Sequence, residues 1–166
     1  MREREFVPLP TEVAGWVGMG AVAPEVIPGA AAHWLVEGFD GQALRELAGL
    51  GVGEAGAIHD LLPAALADCG LSIPDSVVAS VHVVFVGVAQ RYQAGELDEG
   101  WVLRYVSRLV RDHWHADDLV RELPMARLFG GDDAWSRGWG PAKPELRALV
   151  RQACADELAL TFNAES

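Results

Sequence analysis

The chain has 166 residues and a net charge of −11, from 24 acidic against 13 basic residues. Hydrophobic residues at 51% and charged residues at 22% describe a folded globular protein rather than a disordered one. A chain of this length buries roughly 70% of its unfolded surface without a metal or disulfide staple. The charge argues against nucleic-acid binding, which rests on Lys and Arg displacing counterions, and favours a basic protein partner.

Length alone favours one domain over residues 1–166. Lys143 is the one lysine and Asn163 the one asparagine, while Ala, Gly, Val and Arg are abundant, the coding bias of a GC-rich bacterial genome. Cys69 and Cys154 match no metal or redox spacing and read as small buried hydrophobes. The start "MRERE" balances acids against bases, and Pro8, Pro10, Thr11 and Glu12 interrupt the apolar stretch after it, so no secretory signal is expected. No apolar run approaches the ~20 residues that span a bilayer. The expectation is a cytoplasmic protein with no membrane contact.

Residues 1–29, with Pro8, Pro10, Pro24, Pro28 and four glycines, read as an irregular apolar arm on the body of the domain. A short helix is expected over 29–37, stopped by Gly38. The next spans 40–48, with Asp40 as its cap and Gly49 in a left-handed turn after it. A third covers 54–69, where Pro63 should kink or split it.

The stretch "SVVASVHVVFVGVAQRYQAG" has seven valines and could be a strand. Yet Val77, Val78, Val81, Val84, Phe85, Val88 and Tyr92 share one helical face, with Ser80, Gly87, Gln90 and Arg91 off it. A central helix is expected, capped by Asp75 and ended near Gly95. Asp98 caps the next, over 98–112, with Val102, Val106, Leu109 and Val110 inward. A helical turn starts at Asp117 and another lies in "LPMARLFGG". Residues 130–144, dense in Gly, Pro and Trp, read as a long loop. Pro144 then opens a last helix running to about Phe162, with Leu146, Leu149, Val150, Ala153 and Leu158 as its apolar face. The sum is an all-α protein, a compact orthogonal bundle of about 6–8 helices.

Three stretches could carry function. In "RDHWHADD", residues 111–118, two histidines stand two apart. On a helix such residues point about 200° apart, so His113 and His115 would not share an ion, and no metal site is expected. His33, His59 and His82 fall in separate helices. Second, Arg104, Arg108 and Arg111 form a stripe at i, i+4 and i+7, with Trp101 one turn before it and Arg91 on the preceding helix. Guanidinium groups in a row can fork onto carboxylates or phosphates, or can simply be a solvated face. Third, in "DDAWSRGWG", Trp135 and Trp139 flank Arg137 beside Asp132 and Asp133. Trp and Arg carry much interface energy, but the rings could equally plug the core.

No catalytic motif is present: no G-x-S-x-G, phosphate loop or H-E-x-x-H. An enzyme is therefore disfavoured, and no cofactor is expected. Charge and composition favour a small acidic protein acting by protein–protein contact, of the immunity or antitoxin type that masks a basic partner. It would bind through Asp132, Asp133, Trp135, Arg137 and Trp139 and through acidic patches. The alternative is a small-molecule binder or enzyme with an anion pocket between the 76–93 and 98–112 helices, lined by Arg91, Trp101, Arg104, Arg108 and Arg111.

Overall fold

A computed structural model describes residues 7–160, and among these the chain is all-α, with eight α-helices, three short 3-10 helices and no strand. No helix in this range is long and apolar enough to cross a membrane. The chain clusters into two compact units, Met1–Ser76 and Val77–Ser166.

The first unit holds α1 (Pro10–Met19), a 3-10 turn (Pro24–Val26), α2 (Ile27–Val36), α3 (Gln42–Ala48) and α4 (Ala55–Asp68). The expectation that residues 1–29 are irregular is corrected here: ten of them form α1. The residues that suggested a loop are its punctuation. Pro10 occupies the first turn, where a missing N–H is harmless, and Gly20 ends the helix at φ 69°, a left-handed conformation that favours glycine. Pro28 likewise sits inside the first turn of α2, which therefore begins two residues earlier than expected.

Pro63 lies inside α4, yet the helix runs unbroken through it. Its ring deprives the carbonyl of His59 of a helical partner, and both residues are exposed, where water can reach. The core of the unit collects Val13, Ile27, Trp34, Leu44, Leu47, Ile58, Leu62 and Leu66, all fully or almost fully buried.

Asp40 does not cap α3. It faces Arg45 at 2.7 Å, and Gly41 is the cap residue instead. The N–H of Leu44, in the first turn, donates across the unit to Oδ2 of Asp68 at 3.1 Å. Gly41 is what admits that carboxylate, since a β-carbon at position 41 would collide with the Asp68 side chain. Gly49 is also not left-handed, with φ −87°. Asp68→Ala is expected to destabilise the protein by about 1 kcal/mol, the usual value of a helix cap, read as a lower urea midpoint at unchanged slope. An unchanged midpoint would show that the α4-to-α3 bond carries no stability.

The second unit holds α5 (Val77–Gln93), α6 (Glu99–Asp112), 3-10 turns at Asp118–Glu122 and Pro124–Leu128, α7 (Gly131–Arg137) and α8 (Lys143–Ala159). The valine-rich stretch is helical, and it is buried more completely than one apolar face requires. Ser80, Gly87 and Arg91, expected off the buried face, are buried as well; only Gln90 of that set is exposed. Asp98 caps α6 by accepting from Trp101 N at 2.7 Å, and Asp117 caps the turn after it by accepting from Leu119 N at 2.9 Å. On α8, Leu146, Val150 and Ala153 are buried, while Leu149 and Leu158 are half-buried. That helix ends at Ala159, and Phe162 lies outside the described residues.

Residues 130–144 are not one loop. Gly130 (φ 85°) and Gly138 (φ 72°) bracket the two-turn helix α7, and Asp132 and Asp133 place negative charge at its N-terminus. Gly131 fits because a β-carbon there would meet Cδ2 of Leu103 at 2.7 Å. Buried Ser107 of α6 pins the entry, donating to the carbonyl of Leu128 (3.4 Å) and accepting from Gly130 N (3.2 Å).

Candidate functional site

The two tryptophans beside α7 have opposite fates. Trp135 is half-buried against α6, where a β-carbon at Gly100 would come within 2.7 Å of its Nε1. Lys143 Nζ lies 4.7 Å from the ring centroid, and Arg147 Cζ 5.6 Å, so two cations of α8 rest on the ring by cation–π attraction. Arg104 reaches the same edge, its Nη1 lying 3.3 Å from the place of a Gly100 β-carbon. Trp139 is 77% exposed after the Gly138 turn. Arg137 is exposed and stands 3.8 Å from Asp133. Asp132 is half-buried. Of the five partner-binding candidates, Trp135 is therefore the braced ring and Trp139 the offered one.

The arginine stripe of α6 is exposed along its length, and each member meets a different neighbour. Arg104 lies beside Gly100 near the Nε1 edge of Trp135, Arg108 faces Asp112 at 3.9 Å, and Arg111 lies over the Phe129 ring at 6.0 Å. Trp101 stacks on Tyr105, with centroids 4.7 Å apart and planes 13° from parallel. Arg91 is buried on α5. The stripe thus disperses its charge over three neighbours.

The "RDHWHADD" stretch is where α6 ends. His113 is the C-cap residue, its N–H donating to Leu109 O, and His115 is exposed. Trp114, between them, packs on Phe129 (5.0 Å) and carries Arg121 over its ring (4.9 Å). Among the described residues no group of three or more His, Cys, Asp or Glu side chains gathers to hold a metal.

A buried polar junction escapes any reading of the sequence. Glu157 of α8 is 0% exposed; its Oε2 lies 2.6 Å from Nδ1 of His82 on α5, and its Oε1 accepts from Met125 N at 3.0 Å. Both oxygens are committed to the fold, so the carboxylate has the character of a structural clasp rather than a base waiting for a ligand. Cys154, one turn earlier, is buried; burial and the neighbouring Glu157 push its thiol up to about 12, which keeps it protonated and unreactive. Nothing local in the sequence marks the junction, because its members are 75 and 32 residues apart.

The first unit presents a different surface. Its described residues carry nine carboxylates and one basic residue, Arg45, which is held by Asp40. Eight of these acids are exposed; the ninth, Glu12, is buried. Val36 (86% exposed) and Val52 (69%) stand out among them. A cleft lined by Val17, Gly20, Val22, His59, Leu62 and Pro63 measures about 110 Å³, below the roughly 300 Å³ at which ligand pockets begin. Comparison with protein-family models, with curated proteins and with solved structures finds no match to this chain.

Proposed function

We propose that this protein works by contact, as a binding module that covers a basic protein partner in the manner of an immunity protein or antitoxin. The observation that carries this reading is the one-sided charge of the first unit's described residues, where eight exposed carboxylates stand against a single, already neutralised arginine. Such a surface raises the rate of encounter with a cationic partner and repels acidic competitors. Val36 and Val52 add exposed apolar area of the kind that interface centres bury. In the second unit, Trp139 is a further contact residue: a large ring at 77% exposure, of a type that often dominates binding energy. Asp132, Asp133 and Arg137 border it in sequence.

The test is affinity capture from the host lysate with the full chain as bait, across a salt series. Basic proteins are expected on the wild-type bait, released as salt rises, and lost from a Glu25→Gln, Glu46→Gln, Asp60→Asn bait. Capture that ignores both salt and these substitutions would overturn the reading.

A further inference from the structure

The charged residues of the second unit are sorted in a way that points to a second ligand. Arg108, Arg121, Arg127 and Arg137 each have an aspartate, namely Asp112, Asp118, Asp156 (2.6 Å) and Asp133. Arg104, Arg111, Lys143, Arg147 and Arg151 have none among the described residues, although the chain carries nearly two acids for every base. Three of these five gather around one indole: Lys143 and Arg147 of α8 lie on the Trp135 ring, and Nη1 of Arg104 on α6 lies near its Nε1 edge, beside Gly100. Like charges gathered without a counter-charge repel one another. The ring offsets part of that repulsion and restrains the two cations of α8. Gly100 leaves the room that lets the indole sit so close to α6.

We propose that Arg104, Lys143 and Arg147 form a binding site for the phosphate group of a small molecule. A tetrahedral dianion supplies the two charges and several acceptors that three cationic donors on two helices can use together, where a lone carboxylate would satisfy one guanidinium fork. Lys143 and Arg147 already lie against the ring, so the ligand is held by its charged end rather than by stacking on Trp135. This site is built wholly from the second unit and does not depend on the acidic surface of the first.

Calorimetric titration of the full chain with inorganic pyrophosphate, against sodium chloride of matched ionic strength, tests the proposal. One saturable site is expected for pyrophosphate and none for chloride. Lys143→Ala with Arg147→Ala should weaken binding about tenfold or more, the loss of one or more charge-assisted hydrogen bonds. Arg45→Ala and Arg121→Ala should leave it within about twofold, since each of these arginines is already held by its own aspartate, Asp40 or Asp118. All four side chains are exposed, so the variants should keep their helical circular dichroism. Absence of saturable binding, binding retained by the double variant, or an equal loss in the Arg45 and Arg121 variants would overturn it.

Discussion

Glu157→Ala is expected to lower the unfolding free energy by about 3 kcal/mol or more, because removing one member of a buried, hydrogen-bonded pair strands its partners in a dry interior. The stranded groups are Nδ1 of His82 and the N–H of Met125, which the carboxylate bridges at 2.6 and 3.0 Å. The junction ties α5, α8 and the 3-10 turn at Pro124–Leu128 together, so its loss should loosen all three. Glu157→Gln keeps an acceptor for Met125 and should cost clearly less than alanine. Urea unfolding followed by circular dichroism measures both. Equal and small losses for the two variants would show that His82 and Met125 find water or other partners when the carboxylate is gone.

Trp34→Ala should be comparably damaging in the first unit, at about 3–5 kcal/mol, the range for emptying a large aromatic site in a packed core. Trp34 is 1% exposed on α2, and its Nε1 donates to the carbonyl of Pro8 at 2.9 Å, joining the segment before α1 to the core. Trp34→Phe separates the two contributions. It retains most of the ring volume and forfeits the hydrogen bond, for which a loss of about 1 kcal/mol is expected. A drop in thermal midpoint for alanine no larger than that for phenylalanine would assign the stability to the bond rather than to the packing.

The candidate surfaces were legible in the sequence to different degrees. Acidity is a matter of counting, and so is its unequal distribution: residues 1–83 hold eleven acids against three bases, and residues 84–166 thirteen against ten. The aromatic-cationic character of "DDAWSRGWG" was also plain, though its helix was not. The glycines around it look like loop formers until their roles are seen, two as left-handed caps and one as clearance for Leu103. Lys143 and Arg147 carried a readable signal, a basic pair at i and i+4 on the last helix. It gains meaning only when Trp135 is placed beneath it. The α6 arginines show the reverse: one helix face in sequence, three separate neighbourhoods in space.

What the sequence determined by itself is the helical class and most element boundaries. Apolar spacing near 3.6 residues, aspartates at 98 and 117 and glycines after helix ends are local signals, and local hydrogen bonding obeys them. Tertiary structure decided what distant residues do for one another: Asp68 rather than Asp40 on the first turn of α3, Glu157 between His82 and Met125, and Trp135 under two cations. The physical reason is that a buried polar group takes whichever partner packing brings within hydrogen-bond reach, and separation along the chain does not limit that reach.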